Sequence, residues 1–324
     1  MQPTPSSVHI DAALTNFSLA YLQNPENFLA TRIFPRIPVS KQSDKYWIFD
    51  KNLWLTSQME VRPPDTESAG SGFTLSSTSY FADVFALHKD INNQVAANAD
   101  MDLDRVTAKW LTQQALIKME RAFVTDFMTT GLWNGGTDLT GVASGPTANQ
   151  FVQWNNRTTS DPRADIEAAK LTILTNTGME PNTLVLGYAV YQQLKQHPDF
   201  RAQLQYTSPE SITPTMLGAI LDIPRVFVSK GVYATNNEGE TAAYSMIQGK
   251  SAWLGYVDPN AGPESPTAGA TFVWTGLDGG TGGQVEISRF YIQERKTWRH
   301  EIEMAWDNKI VGADLGIYFA TAVA

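Results

Sequence analysis

Three aspartates at alternate positions, Asp100, Asp102 and Asp104, form the kind of carboxylate cluster that opens a calcium-binding loop. The sixth position of that loop would be Arg105 instead of glycine and the twelfth Leu111 instead of glutamate, so both the sharp turn and the bidentate ligand are missing. The acids read instead as the start of a helix, where the positive end of the dipole favours them. "GLDGGTGG", from Gly276 to Gly283, suggests a phosphate loop. It carries neither the full glycine spacing of a dinucleotide site nor Gly-Lys-Ser/Thr, and it reads as a flexible connection. Glu301 and Glu303 would project from one face of a strand about 7 Å apart, and glycosidases use two carboxylates. With Arg295 and Arg299 close by in sequence, an ion-pair face is the simpler expectation. The four histidines, His9, His88, His197 and His300, are scattered, without His-x-x-x-His, and there is no Gly-x-Ser-x-Gly elbow. His300 is read as a hydrogen-bonded core residue. No cysteine is present, which excludes disulfides and thiolate metal sites. No catalytic, cofactor-binding or metal-binding residue is therefore assigned, and no enzyme is expected.

The elements that would position any site begin with a first stretch containing a short helical candidate around Leu14 to Leu22. "IFPRIPVS" follows, where Pro35 and Pro38 forbid helix and disfavour a central strand. Two aromatic-rich, strand-like flanks come next, around a Pro/Gly/Ser tip. One holds Tyr46, Trp47, Phe49 and Trp54; the other, beyond Phe73, holds Tyr80, Phe81 and Phe85. A two-stranded hairpin alone is marginal in water, and apolar surface of this extent marks an interaction site. Asp100 to Thr130 contains neither Gly nor Pro and stops at Gly131. It predicts one helix of about 29 residues, roughly 43 Å long. Its apolar residues fall on more than one stripe, Leu103, Val106 and Trp110 on one and Leu111, Ala115, Met119 and Ala122 on another, so it reads as a brace contacted from several sides.

From Asp161 the pattern alternates. "DPRADIEAAKLTILTNTG" carries an Asp N-cap, Pro at the first helical position and a terminal Gly. "PNTLVLG" reads as a buried strand, "YAVYQQLKQHPDF" as a helix ended by Pro198, "TPTMLGAIL" as a capped helix and "PRVFVSK" as a strand. "TAAYSMIQGKSAWLGYV" reads as a further strand pair. The alternation argues for an α/β domain, while residues 284–324 read as long strands, with a period of two from Trp298 to Trp306.

At 324 residues and 42% hydrophobic content the chain can bury a large core, and its 9 Trp, 11 Tyr and 15 Phe suit extensive interfaces. A net charge of −9 provides no electrostatic footprint for gripping nucleic acid. The start lacks a basic region followed by an apolar one, so no signal peptide is expected, and no membrane-spanning run is present.

The order of elements, and the phrases "NPENFLATRIFPRIPVSKQSDKYWIFDK", "SDPRADIEAAK", "PNTLVLGYAVYQQLKQHPDF" and "IVGADLGIYFATAV", resemble the major capsid proteins of tailed bacteriophages, the Hong Kong 97-type shell fold. The resemblance covers nearly the whole chain. It implies an α+β subunit with an N-terminal arm (1–44), an E-loop β-hairpin (45–90), a peripheral β domain carrying a long spine helix (91–160), an α/β axial domain (161–275) and strands returning to the peripheral domain (276–324). It implies a structural protein that builds an icosahedral shell from hexamers and pentamers of itself, found in the virion and assembled in the host bacterial cytoplasm. Packaged double-stranded DNA would be enclosed without sequence-specific binding. Further partners would be separate scaffolding, portal and decoration proteins, with no membrane and no cofactor. Contacts between subunits would then come from Tyr46, Trp47, Phe49, Trp54, Phe73, Tyr80, Phe81 and Phe85 of the E-loop and from Phe28, Phe34 and Pro35 of the arm. No long charged helix precedes the arm, so a fused scaffold is not expected. Some family members weld subunits through a Lys near the E-loop tip, yet no Lys occurs from Asn52 to His88. A noncovalent lattice is expected. Two rival readings remain, an encapsulin-like nanocompartment filled with protein cargo and, from another class, a carbohydrate-active or lectin-like β protein.

Overall fold

A strand whose residues alternate between two apolar faces must be covered on both sides. That requirement explains the middle of the molecule in the computed structural model, which describes residues 22–49, 51–72, 74–204, 212–237, 239–258, 260, 265–277 and 286–324. A six-stranded sheet runs in the order Gln150–Val152, Leu139–Val142, Gly316–Ala320, Ala252–Gly255, Thr183–Gly187, Arg225–Ser229. From its inner strands Leu184, Leu186, Leu254, Ile317 and Phe319 face one way, against Ile166 and Ile173 of helix Pro162–Thr177 and Leu217 of helix Pro214–Leu221. Val185, Trp253 and Tyr318, one position out of phase, join Phe34, Phe123, Phe127 and Trp133 in a second core on the other face. Helix Pro162–Thr177 has its predicted ends: Asp161 Oδ1 accepts from the Ala164 amide at 2.9 Å, and Gly178 closes it at φ 73°, a conformation that costs glycine little.

A five-stranded sheet is organised by the 14-residue strand Thr297–Ile310. It pairs antiparallel with Glu286–Ile292, Asp83–Asn92 and Gly269–Trp274. Arg36–Val39 adds a parallel edge beside Gly269–Trp274, an edge position being where Pro38 does least harm to a ladder. Helix Leu103–Phe127 links the two sheets. Its Leu111, Ala115 and Met119 pack on Ile302, Val273 and Trp306 of the five-stranded sheet, and its Phe123 and Phe127 enter the core of the six-stranded one.

Several expectations are corrected. The long helix has 25 residues and runs about 37 Å. Asp102 caps it from outside by accepting the Arg105 amide at 3.0 Å, and at its other end Trp133 Nε1 donates to the Phe127 carbonyl at 2.6 Å. Its brace character holds only towards the C-terminal end; Val106 and Trp110 are exposed in the single chain, with Lys89 Nζ 5.5 Å from the Trp110 ring. Pro198 ends one helix, Tyr188–Gln196, and opens another, Pro198–Leu204. Tyr244–Met246 and Ala252–Gly255 are not each other's partners: the first pairs with Val232–Ala234, the second lies between Gly316–Ala320 and Thr183–Gly187. The segment boundaries at 161, 275 and 276 do not follow the sheets either. Gly269–Trp274 lies in the five-stranded sheet, and Gly316–Ala320 crosses into the six-stranded one, because a strand joins the sheet that buries both its faces. The helical candidate around Leu14 and most of the glycine loop lie outside the described residues. Among the described residues no helix is long and apolar enough to cross a membrane.

Candidate functional site

Chemistry-bearing side chains do meet in the fold, and each meeting is structural. Ser160 Oγ lies 3.1 Å from His197 Nε2, and His197 Nδ1 lies 3.1 Å from Asp199 Oδ2, the order of a Ser-His-Asp relay. The relay runs the wrong way for a nucleophile. Ser160 Oγ donates to the Asn156 carbonyl and so accepts from the imidazole, and the Asp199 amide points at Nδ1 from 3.4 Å. The ring is wholly buried, with no room for a substrate, and that burial depresses its pKa against the pull of Asp199. The cluster ties the turn at 156–160 to the junction between two helices. The sequence could not signal it, since Ser160 and His197 are far apart in the chain.

Glu120 was equally unannounced. It is wholly buried on the long helix, accepting from the Leu29 and Ala30 amides at 2.7 and 2.8 Å and from Ser229 Oγ at 3.1 Å. Burial pushes its carboxyl above the usual range, and the three hydrogen bonds oppose that rise. Its role is to pin residues 29–30 to the core. His300 is buried and meets Asp104 Oδ1 at 3.0 Å, as a core histidine should, while Arg289 takes the other Asp104 oxygen at 3.0 Å. Arg299 pairs in bidentate fashion with Asp90, at 2.7 and 2.9 Å, and not with Glu301 or Glu303; the adjacent antiparallel strand brings Asp90 directly opposite it. Among the described residues no cluster of His, Asp or Glu could hold a metal ion.

The hairpin leaves large apolar side chains uncovered in the single chain. Ser43–Phe49 pairs antiparallel with Leu75–Phe81, with Trp47 opposite Ser77 and Ser43 opposite Phe81. This register sorts the aromatics by face. Tyr46 and Tyr80 share one face and dock on Phe272 of the five-stranded sheet, with ring centroids 5.3 and 4.6 Å away. Tyr80 is only 6% exposed, and its hydroxyl donates to the Lys41 carbonyl at 3.3 Å. Trp47, Leu75 and Phe81 share the opposite face and are exposed, Trp47 to 64%. Beyond the strands, Trp54, 68% exposed, and Leu55 lie on the short helix Lys51–Leu55, with Met59 and Val61 exposed further on. The helix is tethered to the body by an ion pair from Lys51 to Asp314. The Phe81 amide donates to Asp307 Oδ2 at 2.9 Å, fixing the base. The result is an anchored hairpin with one aromatic face in solvent.

The expected contact residues divide accordingly. Trp47, Trp54 and Phe81 are exposed in the single chain. Tyr46 and Tyr80 face inwards at the base. Phe49 lies opposite Leu75 in the strand ladder, and Phe73 lies outside the described residues. Phe85 is a correction: the chain leaves the hairpin at Ala82, so Phe85 belongs to strand Asp83–Asn92 and stacks on Trp306 at 4.8 Å. Phe28, Phe34 and Pro35 are corrected as well. Phe28 is 3% and Phe34 2% exposed, and Pro35 is buried with them. Phe34 packs 4.4 Å from Phe127 and 5.3 Å from Trp253, so these arm residues fill their own chain's core.

No protein-family profile matches the chain. It is 25% identical over 324 residues to the major capsid protein of Pseudomonas phage JBD67, covering 97% of each chain. It is 23% identical over 258 residues to the major capsid protein of Burkholderia phage BcepMu, covering 80% of each. Among solved structures, a phage-related protein from Bordetella bronchiseptica superposes with a TM-score of 0.69 at 22% identity, over 97% of each chain. The capsid of cyanophage P-SCSP1u gives 0.62 at 11% identity, over 94% of this chain and 90% of that one. The SrpI encapsulin of Synechococcus elongatus gives 0.56 at 10% identity, over 97% of this chain and 95% of that one. The mixed α/β fold is similar to that of phage capsid structures.

Proposed function

We propose that this chain, a homologue of phage major capsid proteins, is the repeated subunit of an icosahedral shell, built through hexamers and pentamers around packaged double-stranded DNA. The observation that carries the reading is the exposed face of Trp47, Leu75 and Phe81 on a hairpin whose other face is anchored to its own body. A second copy is the natural cover for such a surface in a closed symmetric assembly. In this reading residues 45–81 are the E-loop, Leu103–Phe127 the spine, and Trp47, Trp54 and Phe81 the contacts with the next subunit. The protein is structural, not catalytic. DNA is contained and not gripped, because the chain carries an excess of acid, 33 Asp and Glu against 24 Lys and Arg. Assembly takes place in the host cytoplasm, with scaffolding, portal and decoration proteins as separate chains.

Negative-stain microscopy and sedimentation of the purified protein test this. Closed particles, hexamers or pentamers are expected. A folded monomer at every concentration refutes the reading. The likeness to an encapsulin keeps one alternative worth the same preparation: particles that enclose protein cargo instead of DNA favour a nanocompartment.

A further inference from the structure

We propose that the exposed face of the hairpin seats on the outer face of the five-stranded sheet of a second copy, hairpin of one copy to sheet of the next. This rests on the shell reading above and names the surface that receives the hairpin. The registers of strand Thr297–Ile310 with its neighbours are unbroken, so Arg299, Glu301, Glu303 and Asp307 share one face of the sheet. The long helix packs on the other face, against Ile302 and Trp306. The hairpin covers one end of the outer face of its own sheet, where Tyr46 and Tyr80 meet Phe272, the strand partner of Asp307. Eight residues along, about 26 Å away, Phe290 lies opposite Arg299 and Ser288 opposite Glu301, both exposed. Val84, opposite Ala305, is exposed on the same face.

The acids of this face are not matched alike. Asp90 is met by Arg299 at 2.7 Å and Asp307 by Lys309 at 3.2 Å, whereas Glu301 and Glu303 form no ion pair among the described residues. The free face of the hairpin has the converse lack. Lys45 stands on it, exposed, two residues before Trp47, while the neighbouring Asp44 belongs to the opposite face and is taken by Lys41 at 3.1 Å. Each surface thus carries exposed apolar side chains and the charge that the other needs, the condition for selective pairing. The two cannot meet within one chain, because the hairpin turns its other face to its own sheet. Hairpin against hairpin would gather Lys45 ammoniums in one interface, which like charge opposes. A contact from hairpin to sheet leaves one hairpin and one sheet free at the ends of any row of copies, and the row ends only by closing into a ring, as pentamers and hexamers do.

The chain has no cysteine, so introduced thiols report without background. Ser77→Cys, opposite Trp47, and Ser288→Cys, opposite Glu301, are placed in the full chain singly and together, and assembled protein is coupled with a short bis-maleimide. The double variant should give a ladder of covalent oligomers ending at pentamers and hexamers in a reducing detergent gel, and each single variant one band. Coupled dimers from either single variant overturn the proposal, because like faces then meet. An assembled double variant without a ladder overturns it in favour of another cover, such as the exposed Val106 and Trp110 of the long helix. Charge reversal gives a second reading. Lys45→Glu should raise the lowest concentration at which particles form by about tenfold or more, by setting like charges together, and leave the melting temperature of unassembled subunits unchanged. Adding Glu301→Lys or Glu303→Lys to the same chain should reverse most of that rise. An unchanged threshold, or no rescue by either lysine, overturns the pairing. If the unaltered protein forms no particles, pentamers or hexamers, the shell reading fails first and takes this contact with it.

Discussion

Replacing Trp47 by alanine separates what the hairpin does for its own chain from what it does for a neighbour. Trp47 stands opposite Ser77 on the solvent face of the hairpin, so within the subunit its loss removes only strand propensity and a few edge contacts, about 1 kcal/mol or less. In an assembly the reckoning changes. With 64% of the side chain exposed, and a Trp offering roughly 250 Å², about 160 Å² is left for a neighbour to cover. At about 25 cal/mol per Å² full coverage is worth about 4 kcal/mol, and half coverage about 2. A tenfold change corresponds to about 1.4 kcal/mol, so Trp47→Ala should raise the assembly threshold by roughly 30-fold to 1,000-fold per contact while the subunit's thermal melt barely moves. Light scattering against concentration reads the first, and circular dichroism of unassembled subunits the second. An unchanged threshold, or a melt that falls in step with assembly, refutes the reasoning that this face is covered by another copy.

Glu120→Ala should lower subunit stability by about 2–5 kcal/mol, because two amides, of Leu29 and Ala30, lose their acceptor inside the protein; Glu120→Gln, keeping one acceptor, should cost less in a denaturant titration. Stability should also depend on His197. Its folded-state pKa is depressed, so an unfolded imidazole takes a proton first; the contribution is complete above about pH 6.5 and is lost as pH falls towards the folded-state value. His197→Gln should flatten that limb in melts between pH 7 and 5, although Glu120, whose pKa is raised, contributes stability of the opposite slope in both proteins. Finally, particles boiled in detergent should run as one band near 35.8 kDa, because the tip from Asn52 to His88 has no Lys and Arg62 is a poor nucleophile. A ladder resistant to boiling and reductant would reveal a covalent weld.

Local rules were enough wherever one segment answered to its own chemistry. Asp161, Pro162 and Gly178 fixed both ends of their helix, because caps and terminators act within a few residues. The apolar run at Thr183–Gly187 announced a strand buried on both faces, and the aromatics around Trp47 announced surface in need of cover. Only the tertiary structure decided which aromatics were already covered. Phe34 reads like those of the hairpin in the chain, yet it fills a core built from Phe123, Phe127 and Trp253, brought together from across more than 200 residues, and Phe28 is buried too. The antiparallel register sent Tyr80 inward to Phe272 and left Trp47 and Phe81 in solvent, and period-two alternation alone does not say which face meets the body. The partnerships of Ser160 with His197 and of Glu120 with Leu29 and Ala30 follow from long-range packing. Residue type sets what each group requires, and only the folded neighbourhood determines whether that requirement is met.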